Sequence, residues 1–409
     1  MTLHPLIIDI CRAVDGAGGR AWIVGGVVRD ALMGVESKDQ DIEVHGIEID
    51  DLRRLLKQFG QVNEIGKSFG VFKLATRELD LDVSIPRHDN QVGPAHKDVE
   101  IVGDPYMGIE LAARRRDLTI NAIAYDPLRE HYEDPFGGMR DIERGRLVAV
   151  DPRAFSEDPL RVLRVVQFAA RFGFSVQNDL AVLCRKTSLF SLPPERIWGE
   201  FEKLLLRAPI PSVGWALAQE LDVLDRVLPG LAALPSEPIE QALNRAAERR
   251  SGLESKGRRL ALMLSAMMHS ASTNQVEESL TRLEVHRLYG FPVRKRVLEA
   301  TQKWRQLQQP AEDHVLRQLA EDTEVLLVAE TAYAATGNAA ALANLDQAFR
   351  LGVGVEPMPL LVKGRDLTRM GVSPGPEMGD ILGQVRKAQI DGSIEDRDGA
   401  ILWLKDYLK

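Results

Sequence analysis

The sequence predicts an α+β protein: an N-terminal head with a mixed or antiparallel sheet and helices, then an all-α neck, body and tail. Three observations carry this. Short apolar or alternating runs of four or five residues, the pattern of strands, are confined to roughly the first 150 residues. From about Asp151 these fade and apolar residues recur at helical spacing. Pro-rich joints, Ala208-Pro-Ile-Pro211 and Gly352 to Pro359, punctuate the helical part. The expected division is a head over 1–150, a neck over 151–210, a body over 211–355 and a tail over 356–409.

Taken in order, Leu6 to Val14 has the spacing of an amphipathic helix. Ala21 to Val24 is an apolar run ended by Gly25-Gly26, which predicts a strand entering a tight turn. Val27 to Met33 then reads as a helix closed by Gly34. Asp41 to Val44 alternates as a half-buried strand does, Ile49 to Phe59 is helical, and Val71 to Ala75 with Leu79 to Val83 read as a strand hairpin. Long helices are expected at Pro159 to Phe172, Arg196 to Arg207, Arg258 to His269 and Ala339 to Leu351.

The chain has 409 residues, 44% of them hydrophobic and 27% charged, which excludes wholesale disorder. Its only cysteines, Cys11 and Cys184, cannot build a disulfide framework or a Cys-rich zinc site, so a reducing cytoplasm is expected. No 18-residue apolar run predicts a membrane span, and the first residues lack the basic region and cleavage site of a signal peptide. The formal net charge of −8 excludes coating of nucleic acid by bulk charge while leaving room for a local basic groove.

Three features of the head carry chemistry. Gly25-Gly26 lies between strand and helix, where backbone N–H groups and the helix dipole favour an anion and Arg29 could add a cation; a plain turn is the alternative. Asp41 and Glu43 are two apart on a strand and so share a face. Such a pair suits Mg²⁺ with substrate phosphates; a solvated strand face is the alternative. Asp82 follows on a later strand with Asp80 on the same face, and the pattern does not choose between them. Together they describe a two-metal phosphoryl-transfer site with ions about 3.5–4 Å apart.

Trp22-Ile-Val-Gly-Gly-Val-Val-Arg-Asp30 followed by Lys38-Asp-Gln-Asp-Ile-Glu43 resembles the head of the polymerase-β nucleotidyltransferase superfamily. More narrowly, it is similar to the class II tRNA nucleotidyltransferase and bacterial poly(A) polymerase family. The resemblance implies that Gly25, Gly26 and Arg29 hold a triphosphate, that Asp41 and Glu43 bind Mg²⁺, and that Asp82 is the third acid. Arg114-Arg-Arg-Asp-Leu-Thr-Ile-Asn121 resembles the family's second motif, implying nucleotide contacts from Arg116, Asp117 and Asn121. Asp134-Pro-Phe-Gly-Gly138 through Asp141 resembles the hinge between head and neck.

Glu157-Asp158-Pro-Leu-Arg161-Val-Leu-Arg164 is the most telling block. Its plain reading is a capped helix with an i,i+3 ion pair. Its sharper reading is base selection. A carboxylate accepts from the exocyclic amine of cytosine or adenine and Arg donates to the ring acceptors, whereas uracil and guanine oppose both groups. The resemblance implies this role for Asp158 and Arg161, with Arg164 in support. Many relatives carry a further Arg where this chain has Gln167. Pro193 to Leu205 resembles the last neck helix, with a packing role, and Leu361 to Asp380 resembles the family's tail.

The implied activity is addition of C, C and A to the tRNA 3′ end from CTP and ATP with Mg²⁺. A poly(A) polymerase or a CC-only or A-only enzyme shares the head motifs, and Arg87 to Pro105 is the expected flexible loop separating them. A non-catalytic RNA-binding scaffold is the rival from another class. A His-Asp phosphohydrolase is disfavoured, because Met-Met-His-Ser270 has no adjacent Asp.

Overall fold

The computed structural model describes residues 1, 3–36, 40–64, 70–91 and 99–408. The chain divides into two compact units, Met1–Pro193 and Pro194–Lys409. The division falls inside the expected neck: its first helices belong with the head, its last helix with the body.

The first unit is built on a seven-stranded sheet of order β3-β4-β5-β2-β1-β8-β9. Its strands are β1 (Arg20–Val24), β2 (Asp41–His45), β3 (Gln61–Glu64), β4 (Val71–Ala75), β5 (Asp80–Ser84), β8 (Ala124–Asp126) and β9 (His131–Glu133). β2 and β5 run parallel and the other neighbours antiparallel. One face carries Ile23, Ile42, Val44, Phe72, Leu74, Leu81 and Val83 into a core closed by α1 (Pro5–Gly16), α2 (Gly26–Leu32) and α3 (Ile49–Leu56). Alternation therefore sends Asp41, Glu43 and Asp82 to the opposite face. The predicted strands and helices up to Ser84 are all present, with ends shifted by up to about three residues. β3, β8 and β9 lack a clear alternating signature and were not anticipated.

The expected loop from Arg87 to Pro105 is partly corrected. β6 (Arg87–Gln91) and β7 (Val99–Gly103) pair antiparallel, while 92–98 lie outside the described residues. Lys38 and Asp39 of the head motif also lie outside them.

Behind the sheet come α4 (Ile109–Arg114), a turn of 3-10 helix at Thr119–Asn121, and α5 (Gly138–Glu143). The Asp134-Pro-Phe-Gly-Gly138 motif has a local reason. Asp134 accepts from the N–H groups of Gly138 and Met139 at 2.7 and 2.9 Å, capping α5. A Cβ on Gly138 would lie 2.1 Å from the Thr119 carbonyl, so only glycine permits that approach. A short parallel bridge of β10 (Arg146–Leu147) and β11 (Ser175–Val176) flanks α6 (Pro152–Glu157), α7 (Leu160–Phe172) and α8 (Asn178–Lys186).

The second unit is helical: α9 (Pro194–Arg207), α10 (Pro211–Glu220), α11 (Val223–Val227), α12 (Pro229–Ala232), α13 (Ser236–Arg249), α14 (Lys256–Met268) and further helices to Tyr407. Every residue of α14 from Leu260 to Met268 is buried, which makes it the central helix of this unit. His269 is a core histidine: Nδ1 meets the Ala266 carbonyl at 2.9 Å, the ring packs edge-on against Trp304, and burial pushes its pKa down. Val362, Leu367, Ile381, Val385, Ile394, Ala400 and Leu404 form a separate hydrophobic cluster near the end.

Candidate active site

The register of the sheet assembles a polar row. Lys73 stands opposite Asp82, Asp82 opposite Asp41, and Asp41 opposite Val24, the residue before the glycine turn. Residues directly opposite have Cβ atoms about 5 Å apart. Asp41 and Asp82 are both exposed and line one cleft of about 510 Å³ with Gln40, Asn63, Lys73 and Asp80. Asp80 shares the face but stands opposite Ala75, one pleat away. The geometry thus places Asp82, rather than Asp80, beside Asp41.

Glu43 is placed differently from Asp41. Its side chain is buried, with 2% exposed. His45 bridges Glu43 Oε1 at 3.3 Å and the Met107 carbonyl at 2.8 Å. Oε2 makes no hydrogen bond but lies 3.6 Å from Arg115 and 3.7 Å from Arg116. Burial acts to raise this carboxyl, yet His45 and the two guanidiniums outweigh it and hold the pKa below the usual value. An oxygen flanked by two cations is a poor place for another. Among the described residues, no three His, Cys, Asp or Glu side chains group to hold a metal by themselves.

The glycine turn is explained by its backbone. Gly25 has φ +79° and ψ −142°, outside the regions open to other residues. A Cβ there would lie 3.5 Å from Asp41 Oδ2 and 3.7 Å from Arg116 Nη1, so the turn touches both an acid and a cation. Gly26 opens α2.

Four residues that the resemblance assigns to nucleotide form a network linking α2 to α7. Arg29 is 4% exposed. It donates to Asp30 at 2.9 and 2.6 Å and to Asn121 at 2.5 Å, and it lies 5.1 and 4.7 Å from the rings of Phe168 and Phe172. Asn121 donates to Asp117 at 2.9 Å, and Asp117 accepts from Arg164 Nε at 2.6 Å and from the Leu118 N–H. Asp117 is fully enclosed; burial alone would raise its pKa, but Arg164 and the hydrogen bonds overcome this and depress it. Arg29, Asp117 and Asn121 are thus hydrogen-bonded to one another and to their neighbours. Arg164, half-buried, closes the network from α7.

Asp158 and Arg161 lie at the start of α7. The Asp158 carboxylate accepts from the Leu160 N–H at 3.1 Å at the start of α7. Arg161 donates one terminal nitrogen to the Ala154 carbonyl at 2.7 Å and the other to the Arg115 carbonyl at 2.5 Å, tying α7 to the arginine turn. Two of its five N–H groups are so engaged. Gln167 is 1% exposed and points into the packing of α7, so it does not substitute for a ligand-facing arginine. Arg115 and His45 were missed as individual site residues. For Arg115 the signal was present, as the middle of an arginine triplet. For His45 nothing local distinguished it.

Comparison with known proteins gives the class of the head. Residues 21–148, which hold most of the sheet, match the model of the poly A polymerase head domain. Residues 256–404 match the model for tRNA nucleotidyltransferase domain 2, and 173–234 one described as a "probable RNA and SrmB-binding site of polymerase A". The three matched segments are thus each similar to a domain of tRNA nucleotidyltransferases and poly(A) polymerases. It is 36% identical over 223 residues to the multifunctional CCA protein of Nitrosomonas europaea, 54% of this chain and 52% of that protein. It is 39% identical over 227 residues to that of Pasteurella multocida, again 54% of this chain and 51% of the relative. The matched chain spans about half the length of these curated relatives. The fold is similar to the Bacillus stearothermophilus CCA-adding enzyme in complex with CTP, with TM-score 0.76, 24% identity and 99% of both chains covered. It is also similar to the Thermotoga maritima CCA-adding enzyme complexed with tRNA, with TM-score 0.68, 20% identity, and 100% of this chain and 97% of that one covered.

Proposed function

We propose that this protein adds C, C and A to the 3′ end of tRNA, taking CTP and ATP as substrates, in the cytoplasm. One observation carries the reading: two exposed acids, Asp41 and Asp82, are held in register on the open sheet face beside the Gly25 turn and Arg116. The relatives named multifunctional CCA protein support the choice of reaction.

Asp41 and Asp82 are the carboxylates suited to divalent cations, because like charges at this spacing are relieved by a hard cation with oxygen ligands. Bound Mg²⁺ would supply Lewis-acid stabilisation of charge on the transferring phosphoryl group. Asp39, two residues before Asp41 in the sequence, offers the same i, i+2 spacing as Glu43. Because Glu43 is buried among cations, we assign the second acid of the pair to Asp39 and read Glu43 as a positioning group. Gly25, Gly26 and Arg116 line the place for the triphosphate. Asp158 and Arg161 read the base edge. The tRNA 3′ hydroxyl attacks the α-phosphate and pyrophosphate leaves. The organisation proposed for this work is head, neck, body and tail as expected over 1–150, 151–210, 211–355 and 356–409.

The test is incubation with Mg²⁺ and tRNAs ending before CCA, after CC, and complete, each offered CTP, ATP or both. Stepwise growth to CCA followed by arrest is expected. Long A tails would make the protein a poly(A) polymerase, growth limited to CC or to the last A a partial enzyme, and no growth a binding scaffold.

A further inference from the structure

We propose that the helical unit carries its own RNA-backbone site, a cleft of about 660 Å³ formed by α9, α13 and α14 that takes phosphodiester groups of the tRNA. This rests on the tRNA reading above. The cleft is lined by Lys203 and Arg207 of α9, Arg250 just after α13, and Lys256 and Arg259 of α14; against these five cations stands one acid, Glu202. Such a concentration contrasts with the chain's net charge of −8.

The local pairing sharpens the point. Lys256 neutralises Glu202 at 2.6 Å, and Lys203 is held by the buried Glu200 at 2.7 Å. Arg207, Arg250 and Arg259 have no acidic partner among the described residues. Arg250 donates to the carbonyls of Leu205 and Ala208, both at 2.7 Å, and Arg259 to that of Leu253 at 2.8 Å. Arg250 thereby covers the negative end of α9, which would otherwise repel an anion. Burial pushes its pKa down with no carboxylate to offset it. Three guanidiniums without a carboxylate partner line one cleft, where an anion would gain charge-assisted hydrogen bonds. Guanidinium geometry matches phosphate oxygens.

No aromatic ring is among the lining residues, and the neighbouring Tyr289 ring is covered by Lys256 Nζ at 3.9 Å, so the cleft suits backbone rather than a nucleotide. The α9 half falls within the region matched to an RNA-binding description; the Arg250 to Arg259 half lies outside it. The structure joins the two.

The test is fluorescence anisotropy of the full chain with labelled tRNA ending before CCA, across a range of KCl. Arg207→Glu, Arg207→Ala and Arg259→Glu are compared with Arg350→Glu, which reverses an exposed arginine outside the cleft. Each cleft variant is expected to bind several-fold more weakly and to lower the log–log salt slope by about one. Arg350→Glu should leave the slope unchanged. Arg207 is exposed, so its variants should keep the unfolding midpoint even where Arg259→Glu does not. Unchanged affinity in the Arg207 variants, equal loss in the control, or no tRNA binding by the unaltered protein would overturn the cleft. If binding depends on Arg207 but no C or A is added, the cleft stands and the CCA reading falls. If CCA is added and the cleft variants keep their affinity, the cleft falls alone.

Discussion

Asp41 and Glu43 are two residues apart on one strand and one face, yet the molecule treats them differently. Asp41 opens to a cleft beside Asp82, while Glu43 is buried against His45, Arg115 and Arg116. Asp41→Asn and Asp39→Asn are expected to reduce kcat by orders of magnitude with folding intact. Glu43→Gln should act mainly by raising KM for CTP, since it loosens two arginines without touching the reacting groups. Steady-state kinetics separates the outcomes: a kcat collapse in Glu43→Gln with normal turnover in Asp39→Asn would restore Glu43 as the metal ligand. Asp117 makes a pH prediction. Its folded pKa is depressed below the ordinary value of about 3.9, so its ionised form stabilises the fold above that pH. That contribution is lost as pH falls through the folded value. Melting curves between neutral pH and about pH 3 should show a shallower acid decline for Asp117→Asn than for the unaltered chain.

At the scale of elements, the β1–Gly25–α2 turn and helix α7 set the site. Gly25→Ala forces a side chain into backbone that glycine alone occupies readily and is expected to cost about 1–3 kcal/mol. The new methyl would also stand in contact with Asp41 and Arg116, so a strained turn should lower unfolding stability and CTP affinity together. Helix α7 is anchored by Phe168, which is 5% exposed, stacks on Phe172 at 5.5 Å and underlies Arg29 and Arg164. Phe168→Ala should cost about 3–5 kcal/mol, read as a shift in the denaturant midpoint. A cost under about 1 kcal/mol would mean that α7 is not held through this ring.

At the scale of the molecule, all candidate nucleotide and metal residues lie in Met1–Pro193, and the basic cleft lies in Pro194–Lys409. Each unit has its own buried core. Residues 1–193 produced alone are expected to unfold cooperatively and bind CTP, yet to bind tRNA much more weakly than the full chain. Calorimetry with CTP and anisotropy with tRNA check the two halves of that statement. An aggregated fragment without a melting transition would show that the head needs the helical unit to fold.

Much of this was legible before any coordinates. Glycines beside a strand, acids at i and i+2, and an Asp-Pro helix start are local signals, because they follow from backbone geometry within a few residues. They located β1, β2, β5, α2 and α7 and, with them, the acids and the glycine turn that share the open sheet face. What sequence alone could not decide was which side chains face a ligand and which are spent on one another. Arg29, Asp117 and Asn121 have the residue types of a phosphate site, but partners up to 92 residues away bury them. Asp82 was separated from Asp80 only by the parallel register of β5 on β2. The basic cleft joins segments some 50 residues apart in an acidic chain. Strand register, burial and long-range pairing depend on contacts between distant segments, and only the tertiary structure brings those segments together.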